Sequence, residues 1–216
     1  MKMTRMPIRS VAPPEPAGAR DRILDAADHA LATEGYQHMR IEDLARAAGI
    51  AKGTVYLSFP SKEEIALACI DRMAGRVLER MRALAGTDAE VGERLRRMLV
   101  ERVLARFDYA RTHSASVDEI LRAIRPALLI RRDAHFRAEG RLLATVLSEP
   151  GGGKPGRPEL VTAQAMILAT NSLLPYSLGV REMGRRAEIA RRADRVARLV
   201  IHGAHAARPH RPRRSP

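Results

Sequence analysis

The chain of 216 residues has no tryptophan, and aromatic residues make up only 3% of it. Any internal pocket is therefore expected to be mainly aliphatic, not shaped for large planar molecules. One cysteine, Cys69, rules out an intrachain disulfide and any cysteine-rich zinc module. It lies on an apolar stripe, where a buried structural thiol is expected. No apolar run reaches the length of a membrane span, and no apolar signal region opens the chain, so a cytoplasmic protein with no membrane partner is expected. Nucleophile motifs such as Gly-x-Ser-x-Gly, or Ser-x-x-Lys with partners, are missing. Gly151-Gly152-Gly153-Lys154 lacks the spacing of a phosphate-binding loop, and no strand precedes it. His202 and His205 share a helix face but have no carboxylate beside them, so no metal site is expected. These absences point away from an enzyme and from a bound cofactor.

What the chain does have is helix. Hydrophobic residues make up 45%, enough for a globular core in one generous domain or two small ones. Apolar residues recur at helical spacing, and no segment alternates as a strand would, so the expected class is all-α, with about nine helices. The proline-rich residues 1–18 read as a disordered arm and the Arg/Pro residues 207–216 as a basic tail. Between them, residues 19–60 form an N-terminal unit and 61–206 a helical body. Ser61 with Glu64, and Thr87 with Glu90, have the spacing of capping boxes that open helices. Pro126 is expected to divide a short helix, 117–124, from a long one, 127–147. The glycine- and proline-rich stretch 148–158 is a loop, followed by helices 159–179 and 185–206.

Net charge is +13, which favours a polyanionic partner. Residues 1–60, however, carry eight Lys and Arg against seven Asp and Glu, whereas residues 181–216 carry eleven Arg against three acids. The basic excess sits at the far end of the chain.

The most informative stretch runs from Arg40 to Phe59. Ile41, Leu44, Ala45 and Ala48 form an apolar stripe, and Gly49 follows at a position where a left-handed residue closes a helix. Ile50 plugs the turn. Gly53 and Thr54 open a second helix with Val55 and Phe59 on its inner face. This is a helix-turn-helix, whose second helix enters the major groove of DNA. With the preceding amphipathic helix (Ile23, Leu24, Ala27, Ala30, Leu31), Glu34-Gly35-Tyr36, the run Ala48 to Tyr56, and Phe59-Pro60-Ser61-Lys62-Glu63-Glu64, the segment Arg20–Met73 resembles the N-terminal domain of the TetR family of bacterial transcriptional regulators. The resemblance covers about a quarter of the chain.

It implies a homodimer that reads a double-stranded DNA operator and is released by a small-molecule effector. Carried over by motif position, the DNA contacts are Lys52, Gly53, Thr54, Tyr56, Ser58 and Lys62. Arg40 stands where many relatives have a hydroxyl N-cap; its helix loses about 1 kcal/mol of capping, while its guanidinium gains reach to a phosphate. Leu57 occupies a position that is often aromatic in the family and cannot hydrogen-bond a base, so the operator does not transfer. The dimer is expected on the last two helices through Ala163, Met166, Ile167, Thr170 and Leu174 with Ile189, Val196, Leu199 and Val200. Effector candidates are Phe107, Tyr109, His113, Arg125, His135, Met166, Asn171 and Tyr176. A ligand-independent regulator, an activator, and a non-specific architectural DNA binder remain open beside the repressor.

Overall fold

The computed structural model describes residues 18–149, 153–175 and 184–206. The expected arm, tail and Tyr176 lie outside them, apart from Gly18. Eight helices occur among the described residues: α1 (Ala19–Thr33), α2 (Ile41–Ala47), α3 (Lys52–Ser58), α4 (Lys62–Ala85), α5 (Val91–Thr112), α6 (Ser114–Ser148), α7 (Arg157–Asn171) and α8 (Arg186–Ala206). The class is all-α, and no helix among the described residues is long and apolar enough to cross a membrane.

Helices α1, α2 and α3 pack on one another as a three-helix head. Gly35, at φ +89°, turns the chain after α1. The 24-residue α4, about 36 Å long at 1.5 Å per residue, links head to body. Ser61 caps it as expected, its Oγ accepting from the Glu64 N–H at 3.2 Å. Helix α5 packs between α4 and α8, and α6 packs on both α4 and α7. One continuous apolar cluster runs from Ile23 in the head to Ile201 in α8. The core is therefore shared between head and body, with α4 burying residues on both sides.

Three helix boundaries differ from expectation, α7 ending at Asn171 where a helix to 179 is expected. Thr87 does not open α5: its Oγ1 donates to the Leu84 carbonyl at 2.7 Å, closing α4 instead. Helix α5 begins at Val91 with Glu90 as an N-cap that makes no side-chain bond. Arg94, which donates to the Ala85 carbonyl at 2.7 Å and pairs with Glu149, fixes that corner. Nor does Pro126 divide α6, which runs unbroken through it. Ile120, Ile124 and Leu128 form a buried stripe across the proline, while Pro126 itself faces outward. Burial of that stripe, at about 1.5–3 kcal/mol per side chain, outweighs the roughly 3 kcal/mol cost of an interior proline.

Candidate nucleic-acid interface and effector cavity

The turn between α2 and α3 is a Schellman motif. The Ile50 N–H donates to the Ala45 carbonyl at 3.0 Å, and the Gly49 N–H to Arg46 at 3.2 Å. Gly49 has φ +65°, which a residue with a Cβ adopts only at a cost. Ile50 is half-buried beneath the turn. Two arginines of α1 brace this unit from behind. Arg22 donates through Nε to the Ala48 carbonyl at 3.0 Å, and Arg20 through Nη1 to the Ser58 carbonyl at 3.1 Å, with its guanidinium 4.1 Å from the centre of the Phe59 ring. Each places a positive charge at the C-terminal end of a short helix, where carbonyls lack partners. The sequence reading missed both, because a surface arginine on an amphipathic helix does not reveal a carbonyl 26 or 38 residues away.

Val55 and Phe59 are buried, as the spacing predicts, and the opposite face of α3 is open. Tyr56 is 48% and Leu57 90% exposed; Lys52 and Gly53 are exposed, and Thr54 and Ser58 half-buried. Lys52 pairs with Glu42 across the turn, which raises the Lys52 pKa, and its ammonium lies 5.9 Å from the centre of the Tyr56 ring. Arg46 pairs with Asp43 at 2.8 Å. The pairs on and beside the open face of α3 are thus internally charge-balanced. Arg40 is the exposed N-cap of α2 and makes no side-chain cap bond. Lys62 is placed differently: it is half-buried, donates to the Gln37 carbonyl at 3.0 Å and lies 4.6 Å from the centre of the Tyr36 ring. Burial lowers its pKa. It pins the loop between α1 and α2.

The head is tied to the body through Asp28 of α1. Tyr109 donates to Asp28 Oδ1 at 2.7 Å, and His113 Nε2 lies 3.3 Å from the same oxygen. The His113 ring stacks on Tyr109 at 3.9 Å, and Ser116 donates to the Leu31 carbonyl. Asp71 of α4 binds Arg131 at 2.6 Å and His135 at 3.1 Å, latching α4 to α6.

Deeper in the body lies an ion network. Arg102 donates through Nε to Glu139 at 2.6 Å, through Nη1 to Thr170 at 2.8 Å and through Nη2 to Asn171 at 2.7 Å. Arg106 pairs with the other Glu139 oxygen. Burial would raise the Glu139 pKa, but the two guanidinium groups hold it below the ordinary carboxylate range. Arg102 already stands on the apolar stripe of α5 in sequence; Glu139 is invisible there, because the fold alone brings it close.

An apolar cavity of about 50 Å³ opens beside this network, among α4, α5 and α6. Tyr109 and His113 line it, as does Arg106. The other effector candidates are elsewhere. Phe107 and Met166 fill the core, Asn171 holds Arg102, His135 holds Asp71, and Arg125 is exposed. The expected dimer seam is also largely internal. Ala163, Met166, Ile167, Thr170, Leu174 and Ile189 are buried within the chain's own core, since the apolar stripe of α7 faces α6. Leu199 is 67% exposed, Val196 and Val200 are half-buried, and on α7 the large outward apolar residues are Leu160, Val161 and Leu168, at 41%, 62% and 60%. His202 is exposed, and the side chain of His205 lies outside the described residues.

A braced helix-turn-helix with an open second helix is the arrangement by which nucleic-acid-reading heads enter a groove. The family model described as bacterial regulatory proteins, tetR family, matches residues 23–69. Residues 23–69 are therefore similar to the N-terminal domain of that family. It is 38% identical over 60 residues to a fatty acid metabolism regulator protein of Bacillus subtilis strain 168, covering 28% of this chain and 31% of that one. It is 37% identical over 73 residues to the HTH-type transcriptional regulator AlkX of Mycobacterium tuberculosis, covering 34% of each. The chain thus spans about a third of the length of these curated relatives. The whole fold is similar to a transcriptional regulator from Cytophaga hutchinsonii, with a TM-score of 0.66 at 15% identity over 87% of this chain and 98% of that one.

Proposed function

We propose that the protein is a dimeric, sequence-specific DNA-binding transcriptional regulator, a repressor released by a small molecule held in its body. Residues 19–60 are the reading unit and 61–206 the regulatory and dimerisation body. The observation that carries this reading is the face of α3: Tyr56 and Leu57 stand out from a helix locked at both ends, inside the segment that matches the family. Lys52 exchanges Glu42 for phosphate or a guanine edge, Thr54 and Ser58 reach backbone, Gly53 lets the groove approach, and Arg40 holds a phosphate. Lys62 acts first as a brace for the loop beside the reading unit. A second copy of the chain covers the outward apolar face of α7 and α8 around Val161, Leu168 and Leu199. Similarity to the curated relatives covers about a third of the chain, so it supports DNA reading and does not identify the effector.

The test is binding of purified protein to its own upstream intergenic DNA and to a scrambled control across a salt series. A preference of about a thousandfold or more at physiological salt is expected. Equal affinity for both, followed by no enriched sequence in a random-site selection, leaves an architectural binder acting through the basic C-terminal end.

A further inference from the structure

The basic excess at the end of the chain is gathered on one surface of the body. Helix α8 runs antiparallel to α5: Arg186 near its start pairs with Asp108, and Asp194 further on pairs with Arg96. Its last turns therefore lie beside the start of α5, where Arg198 and His202 share a groove with Glu93. The groove continues past Arg191 and Arg195 into a volume of about 560 Å³ between the two helices. Arg191, Arg195, Arg198 and His202 follow at intervals of 4, 3 and 4 residues, so they stand on one side of α8, and all four are exposed. Glu93 and Asp194 hold Arg96, Arg97 and Arg198. Arg191 and Arg195 make no ion pair or hydrogen bond among the described residues. After Asp194 the sequence has six arginines and no acid to its end.

We propose that this side of α8 is a second nucleic-acid contact, which takes the sugar–phosphate backbone of a DNA duplex without reading its sequence. The four residues span about 16 Å along the helix, the rise of about five base pairs. Guanidinium forks match phosphate oxygens, and an unpaired exposed arginine exchanges only water and counterions for them. No large apolar residue among the described residues is exposed in the groove, so it lacks the anchors on which a protein partner would close. Leu199, assigned above to the second copy, is five residues from Asp194, about 140° round the helix, so the dimer face and the groove are different sides of α8. The contact is also remote from the head. Tyr109 holds Asp28 of α1, and Glu93 lies about 24 Å further along α5. A duplex on α8 is therefore a separate segment from one under α3, and the protein bridges the two. The bridging rests on the regulator reading above; the backbone contact does not.

Fluorescence anisotropy of a labelled random-sequence duplex, titrated with the full chain across a salt series, tests the contact. Arg191→Ala with Arg195→Ala is expected to weaken binding at least about tenfold at low salt and to lower the salt slope by about 1.8, the contribution of two phosphates. Arg191→Lys with Arg195→Lys is expected to keep the slope. Arg137→Ala with Arg141→Ala, which removes two exposed arginines at the same spacing on α6, is expected to leave affinity and slope nearly unchanged. An unchanged slope in the α8 alanine variant, or an equal fall in the α6 variant, overturns the proposal. Polyglutamate that displaces the duplex at equal charge concentration assigns the surface to acidic protein and overturns it too. Protein held on an immobilised copy of its selected operator is expected to capture the free duplex; no capture overturns the bridging. Absence of any selected sequence overturns the regulator reading instead, with the random-duplex titrations unaffected.

Discussion

At the scale of single residues, the reading face is held in balance by carboxylates. Lys52 and Glu42 pair in the structure, so under the proposed function DNA has to compete with Glu42 for that ammonium. Lys52→Ala is expected to weaken specific DNA binding and lower the salt slope by about 1, the contribution of one phosphate contact. Glu42→Gln, which frees Lys52 and removes a charge that repels phosphate, is expected to tighten it. Fluorescence anisotropy across a salt series measures both; tighter binding by Lys52→Ala would remove Lys52 from the interface. Deeper in the chain, Glu139→Gln removes the anion that two buried guanidinium groups share. A loss of about 3–5 kcal/mol in urea unfolding is expected, the usual result of breaking a buried pair from one side. A loss below about 1 kcal/mol would show that water reaches the network.

At the scale of elements, α7 and α8 each have two apolar faces with different duties. The inner face of α7, with Ala163, Met166 and Ile167, builds the chain's own core, and its outer face carries Val161 and Leu168. Met166→Ala is therefore expected to cost about 2–5 kcal/mol of stability as a cavity mutation. Leu168→Arg and Leu199→Arg are expected to leave the fold intact and yield monomers in sedimentation velocity. Dimers that persist in both variants would place the interface elsewhere. Periodicity located the apolar residues of these helices correctly but could not sort them between inside and outside. A stripe reads the same whether its partner is α6 of the same chain or a helix of another.

At the scale of the whole molecule, head and body share one core and meet at a titratable joint. Burial alone would lower the His113 pKa, but its bonds to Asp28 and to the Tyr109 carbonyl outweigh burial and raise it. Burial opposes the Asp28 shift in the same way, yet His113, Tyr109 and Arg72 lower its pKa. The raised His113 value means that its contribution is fully present below the unfolded value of about 6.5 and is lost as pH rises through the folded value. The lowered Asp28 value means that its contribution is present above 3.8 and is lost as pH falls through the folded value. The melting temperature of the wild type, relative to His113→Phe, is therefore expected to fall as pH is raised from about 6 to 8. A constant difference between the two proteins would show that folding does not shift the His113 pKa.

The sequence by itself determined what depends on near neighbours: the all-α class, the stripes of α1 and α4, the cap at Ser61, the left-handed Gly49 and the buried Val55 and Phe59. These follow from spacings of three or four residues and from the backbone freedom of one glycine. Only the tertiary structure decided what depends on distant partners. It turned Lys62 into a brace and joined α6 across Pro126, because a continuous buried stripe outweighs one proline. It gave Arg102 and Arg106 a shared anion 37 and 33 residues away, and Tyr109 and His113 a shared partner in α1. A buried ion's stability depends on the groups the fold packs around it, and their separation along the chain leaves no local pattern to read.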